Sequence, residues 1–269
     1  MIESVTTKQI NHFRIQGFVH IPGFLAPNEL TTWRHEIDAA VKQQRGGQTL
    51  DGSPAGSKEG HYANVFLQQM LLSRISEGVR KLMHEPQLGR IACDLSDIDG
   101  IRIWHDQALI KEPLANATAF HRDVPYWSFD SRQAISVWVA LDDATLQNGC
   151  LYFLPGSQHL TDFVPSGIGE NMGELTARYP ALADIEPIPV PVTAGDAVYI
   201  DGMVAHGAGP NMTTGYRRAM TCAYMPDGAT FNGKRNILSE SYQSSLSIGD
   251  TLDNNDELPL IFSRGIAQS

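Results

Sequence analysis

Along the first hundred residues, apolar positions recur at the three- and four-residue spacing of helices. TTKQINHFRIQG reads as a helix stopped at Gly17, and FVHIPGFL as an extended stretch. APNELTTWRHEIDAAVKQQ restores helical spacing, with Pro27, Asn28 and Glu29 as its first turn. LQQMLLSRISEGVRKLMHE predicts a further helix over 67–85. Between them RGGQTLDGSPAGSKEG, residues 45–60, is rich in Gly, Ser and charge, which predicts a loop or a lid that orders on binding.

From Gly100 the period changes. GIRIWHDQALIK, AFHRDVPYW, QAISVWVALDD, GCLYFLPGS, IPVPVTAGDAVYIDG and RRAMTCAYMP are short β-rich runs separated by Gly, Pro, Asn and Asp turns. The expectation is a mainly β chain with flanking helices: a sandwich or barrel with the N-terminal helices on one outer face. Residues 1–99 form the helical part, 100–226 the β core and 227–269 a C-terminal segment near any pocket, within a single domain over 1–269.

Strand alternation sorts these runs into faces. In QAISVWVALDD, Ile135, Val137, Val139 and Leu141 form one apolar face; Ala134, Ser136, Trp138 and Ala140 form the other. In RRAMTCAYMP, Arg217 shares a face with Ala219, Thr221, Ala223 and Met225, three of them neutral and small, while Arg218, Met220, Cys222 and Tyr224 face away. An arginine on such a face needs a carboxylate, either a core Asp or Glu or that of a ligand.

Composition narrows the classes. The 269 residues are 42% hydrophobic and carry 20 Lys+Arg against 30 Asp+Glu, a formal net charge of −10, which argues against a nucleic-acid partner. No apolar run is long enough to span a bilayer, and the N-terminus lacks a basic region followed by an apolar one, so a cytoplasmic protein with no membrane partner is expected. Cys93, Cys150 and Cys222 are odd in number and widely spaced, and read as buried core residues.

Two polar residues interrupt AFHRDVPYW. On a strand His121 and Asp123 project together while Arg122 points away, a geometry suited to two ligands of one metal. His206, in GDAVYIDGMVAHGAGPN just past a strand, is the third candidate. Two imidazoles and a carboxylate are the facial set of non-haem Fe(II) oxygenases. Each residue also has a plain reading: a hydrogen-bonded core histidine, an ordinary arginine ion pair, and for Trp138 simple packing.

The ordered combination of HRD, NGCLYFLPGSQH and HGAGPN, with Arg217 eleven residues after His206, resembles the phytanoyl-CoA dioxygenase (PhyH-like) family of Fe(II)/2-oxoglutarate-dependent oxygenases. The likeness extends to IRIWHDQALIKEP and to QINHFRIQGFVHIPGFLAPNEL. It implies a double-stranded β-helix (cupin-like jelly roll) holding Fe(II) on His121, Asp123 and His206. It further implies that Arg217 binds the distal carboxylate of 2-oxoglutarate, with Arg218 the less suited neighbour. Gln107, Trp138 and, more weakly, Ala208 take cosubstrate-contacting positions; at the last many members carry Ser.

The implied reaction consumes O2 and 2-oxoglutarate, releases succinate and CO2, and hydroxylates a substrate C–H bond, with no catalytic residue beyond the metal site. Desaturation, cyclisation or epimerisation are the alternative outcomes. Related halogenases carry Ala or Gly in place of the carboxylate, so Asp123 disfavours halogenation. For the substrate, a small molecule, Arg122, Tyr126 and Trp127, the 45–60 loop and residues 227–243 are the candidates. The lack of a Lys/Arg cluster there favours a small polar metabolite or free carboxylic acid over an acyl-CoA. A metal-dependent hydrolase or isomerase, or a non-catalytic jelly-roll binding protein, are the competing classes.

Overall fold

The computed structural model of the chain describes residues 1–48, 50 and 61–265. In chain order its helices are α1 (Thr7–Gln16), α2 (Pro27–Gln44), α3 (Leu72–Ile75), α4 (Glu77–Met83), α5 (Pro86–Ser96), α6 (Glu174–Arg178) and α7 (Glu240–Ser245). The strands are β1 (Phe18–Ile21), β2 (Leu67–Met70), β3 (Gly100–Lys111), β4 (Thr118–His121), β5 (Ile135–Ala140) and β6 (Leu151–Phe153). They continue as β7 (Ile188–Val190), β8 (Ala197–Asp201), β9 (His206–Ala208), β10 (Arg217–Pro226) and β11 (Leu260–Ser263). No helix among the described residues is long and apolar enough to cross a membrane.

The N-terminal helices begin and end where local chemistry dictates. Thr6 and Gln9 form a capping box at α1, and Gly17, at φ 84°, ends it in the left-handed region that only glycine enters at no cost. Pro27 opens α2, where a missing N–H costs nothing.

Two antiparallel sheets face each other. The larger runs β1-β8-β5-β10-β3-β11, with β2 also paired to β3; the smaller runs β4-β9-β6-β7. The face alternation read from the sequence holds. Ile135, Val137, Val139 and Leu141, with Met220, Cys222 and Tyr224, pack outward under the helices against Trp33, Ile37, Val79, Leu88 and Ile91. Trp138, Ala140 and Ala219 face inward against Leu151, Phe153 and Val198 of the facing sheet and its neighbours. The C-terminal segment closes one end, where Phe231, Leu238, Leu252 and Leu258 pack with Trp104, Trp127 and Phe129. Cys93, Cys150 and Cys222 are free and buried.

One expectation changes. Residues 67–85 are not one helix: Leu67–Met70 is strand β2 on the edge of β3, Leu71 turns the chain at φ 58°, and Ser76 separates α3 from α4. The unpaired edge of β3 overrides the local helical spacing. Helix α5, again opened by a proline, adds to the helical layer within residues 1–99. The loop or lid expected over 45–60 lies outside the described residues at positions 49 and 51–60.

Candidate metal and cosubstrate site

Between the sheets lies a cavity of about 310 Å³. His121 and His206 face one another across the β4–β9 pair, with ring centroids 4.4 Å apart. Strand β4 ends at His121; Asp123 sits in helical backbone (φ −80°, ψ −52°) at the start of a 3-10 turn over Val124–Tyr126. The Gly202 carbonyl accepts from the N–H groups of both Asp123 and Val124 and holds that turn. Asp123 therefore reaches the side of His121 by a turn and not by strand alternation.

The three residues offer ligand atoms that all lie within 4.8 Å of one another. Asp123 Oδ1 is 3.6 Å from His121 Nε2 and 3.8 Å from His206 Nε2. The tautomers are set by the backbone: Nδ1 of His121 donates to the Ala119 carbonyl at 2.9 Å, and Nδ1 of His206 to that of Val204 at 3.1 Å. Both Nε2 lone pairs are thereby directed at Asp123. Burial, together with the neighbouring His206, pulls the His121 pKa down to about 4, so its Nε2 is unprotonated and free to ligate at neutral pH. Phe153 lies beside the His206 ring at 6.0 Å and backs it from the core.

Further along the same cavity is Arg217, only 2% exposed. Its Nε and Nη1 have no hydrogen-bond partner among the described residues, and its guanidinium lies 5.4 Å over the Trp138 ring. Burial pulls its pKa down to about 10. The adjacent Arg218 shows what a satisfied arginine looks like in this protein. It is paired in fork geometry to Asp142 at 2.8 Å through Nε and Nη2, and to Asp38 at 2.6 Å through Nη1. A buried cation left unpaired by the protein is expensive, and a carboxylate entering the cavity would relieve that cost. The arrangement fits a metal ion plus a bound dicarboxylate: three converging ligand atoms and an orphaned guanidinium in one chamber.

Gln107, Trp138 and Ala208 line the cavity as the resemblance implies, Ala208 with no hydroxyl to offer. Gln107 is held by a short hydrogen bond from Gln68 Nε2. Tyr126 and Trp127 line it too. Arg122, expected as a substrate contact, does not: it follows the end of β4 and points away from the cavity. Its guanidinium donates to the carbonyls of Asp162 and Val164 and stacks 4.5 Å over Tyr179. The structure thus places Arg122 as a tie for the 162–179 segment, which explains its burial without a substrate.

The sequence did not single out Thr118, His105, Gln68 or Ile168, all of which line the cavity; Asn236, from the candidate segment 227–243, lines it too. One signal existed for His105: it lies two residues before Gln107 on β3 and so shares its face.

Comparisons with known proteins agree with this geometry. The family model described as phytanoyl-CoA dioxygenase (PhyH) matches residues 13–219. The chain is 26% identical to methylphosphonate hydroxylase of Gimesia maris, over 83% of this chain and 82% of that protein. It is 30% identical to a probable phytanoyl-CoA dioxygenase of Caenorhabditis elegans, covering 81% of this chain and 68% of that one. Among solved structures, a non-heme alpha-ketoglutarate-dependent carbocyclase from nogalamycin biosynthesis superposes with a TM-score of 0.76. That match has 24% identity and covers 95% of this chain and 96% of the other.

Proposed function

Because the chain belongs to the phytanoyl-CoA dioxygenase (PhyH) family, we propose that it is an Fe(II)/2-oxoglutarate-dependent dioxygenase that hydroxylates a C–H bond of a small-molecule metabolite. His121, Asp123 and His206 hold Fe(II), which when bound supplies the redox chemistry that turns O2 and 2-oxoglutarate into succinate, CO2 and an oxidised substrate. Arg217 takes the distal carboxylate of 2-oxoglutarate, with Trp138 as a wall and Gln107 as a polar contact. The observation that carries the reading is the unpaired guanidinium of Arg217 in the same cavity as the three ligand atoms.

The protein's own contribution is orientation and exclusion of water. The backbone carbonyls of Ala119 and Val204 hold the ligand imidazoles in one tautomer, and the Trp138 ring lies against the guanidinium. Leu151, Ile200 and Ala223 keep the chamber walls apolar. Asp123 occupies the ligand position, which supports oxygen insertion over halide transfer. A hydrolase using the same three ligands would leave Arg217 without work.

Tyr126 and Trp127 are proposed substrate contacts, being in the cavity; Arg122 is not. The related carbocyclase attaches ring closure to this fold, so desaturation, cyclisation and epimerisation are the alternative outcomes. The acidic chain supports no nucleic-acid partner, and three uncrosslinked thiols support a reducing compartment such as the cytoplasm. The test is succinate production across a substrate panel, followed by product mass. A gain of one oxygen is expected; a loss of two hydrogens or an unchanged mass selects an alternative outcome. Turnover without O2 or 2-oxoglutarate would remove the dioxygenase reading.

A further inference from the structure

The cavity has two ends, and only one of them is accounted for by the cosubstrate. Strands β3 and β10 run antiparallel along it, with Arg217 opposite Lys111, Thr221 opposite Gln107 and Ala223 opposite His105. Six residues separate Arg217 from Ala223, roughly 20 Å of strand. His105 thus stands at the far end from Arg217, opposite a residue too small to cover it.

His105 is 7% exposed, and its Nδ1 has no hydrogen-bond partner among the described residues. Its ring meets Trp127 edge-on at 5.8 Å, which fixes the imidazole plane. Burial lowers its pKa, so at neutral pH the ring is uncharged and has one donor and one acceptor nitrogen. Buried polar atoms in native proteins are nearly always satisfied, and an orphan on a residue that lines a cavity is one that a ligand can satisfy.

The surroundings limit what that ligand is. Among the described residues lining the cavity, Arg217 is the only Lys or Arg and Asp123 the only carboxylate, and both serve the cosubstrate and metal. Beside His105 the cavity is walled by Trp127, by Met70 near Gln107 and, across Ala223, by the neutral hydroxyl of Ser136. A phosphonate, a carboxylate or a CoA phosphate would enter there without a Lys or Arg counter-charge from the described residues, whereas a neutral oxygen needs only a hydrogen bond.

We propose that His105 is the substrate's polar anchor, and that the group it holds is an uncharged hydroxyl or carbonyl oxygen on a largely apolar framework. This rests on the Fe(II)/2-oxoglutarate reading of the same cavity. It narrows the small polar metabolite or free carboxylic acid expected from the sequence to a neutral compound.

The test uses the anaerobic full-length protein loaded with Fe(II) and 2-oxoglutarate. Calorimetry measures binding of cyclic alcohols and ketones of one to four fused rings, their matching carboxylates and amines, and methylphosphonate. Neutral members should bind at least tenfold more tightly than their charged counterparts. His105→Phe should weaken them at least tenfold, while His105→Gln, which keeps a donor and an acceptor, should stay within threefold of wild type. The 2-oxoglutarate titration midpoint should move less than threefold in both variants, which separates anchoring from a general loss of structure. Preferred binding of charged members overturns the proposal, as does unchanged affinity in His105→Phe or a wild type that binds no neutral member. A wild type that fails to bind 2-oxoglutarate overturns the parent reading and this one with it.

Discussion

Replacing Arg217 by methionine should move cosubstrate affinity and fold stability in opposite directions. The guanidinium is 2% exposed and its Nε and Nη1 are unpaired. A pKa drawn from 12.5 to about 10 by burial corresponds to about 3 kcal/mol of unfavourable desolvation in the folded state. Against that, the contact with Trp138 contributes about 1 to 2 kcal/mol. The Arg217→Met side chain would keep most of the stem's packing, so the metal-free variant should be about 1 to 2 kcal/mol more stable than wild type. Loss of a buried charge-assisted pair to the 2-oxoglutarate carboxylate costs about 2 to 5 kcal/mol, or roughly 30- to 5000-fold in Kd. Urea unfolding of the metal-free protein gives the first quantity; an anaerobic 2-oxoglutarate titration gives the second. If the variant instead lost about 3 to 5 kcal/mol of stability while binding 2-oxoglutarate normally, Arg217 would be a structural cation and the reasoning would fail.

Other consequences are as specific. A Cβ on Gly207 would sit 2.6 Å from the Thr118 carbonyl oxygen, whereas one on Gly209 meets nothing nearer than 3.5 Å. Gly207→Ala should therefore push β9 and its His206 away from β4 and weaken Fe(II) binding at least tenfold, with Gly209→Ala near wild type; equal metal content in the two would contradict this. Asn211, fully buried, donates through Nδ2 to the Glu112 and Gly215 carbonyls and accepts from Thr213. Asn211→Ala should cost about 2 to 3 kcal/mol in urea unfolding, and an effect below about 0.5 kcal/mol would show those bonds to be dispensable. Burial, with the Arg217 charge beside it, draws the Lys111 pKa down to about 6. Above that pH the folded state has released a proton that the unfolded chain keeps, so stability should rise with pH between about 6.5 and 8.5, by up to about 2 kcal/mol. Lys111→Met should abolish that rise in the urea midpoint, and a flat wild-type profile would contradict it.

Much of this site was readable from side-chain pattern alone, because strand alternation is a strict rule. The faces of QAISVWVALDD and RRAMTCAYMP, and with them the inward placing of Trp138 and Arg217, follow from period two, and β3 spans the GIRIWHDQALIK run. What alternation could not supply is anything decided by distant partners. The spacing in 67–85 favours a helix, yet residues 67–70 pair with β3, an edge more than thirty residues away. Asp123 reached the right side for a different reason, a turn captured by the Gly202 carbonyl. Ile168 and Asn236 come to the cavity on loops with no periodic signal, and His105, between Trp104 and Asp106, reads as one more buried core residue until the opposite strand shows Ala223 there.

The most direct measurement of the central claim is the visible absorption of the anaerobic protein on adding Fe(II) and then 2-oxoglutarate. A weak charge-transfer band should appear only when both are present, and should be lost in His121→Ala and His206→Ala. A correctly folded wild type that shows no band would contradict the assignment of His121, Asp123 and His206 as an iron site beside a cosubstrate anchored on Arg217.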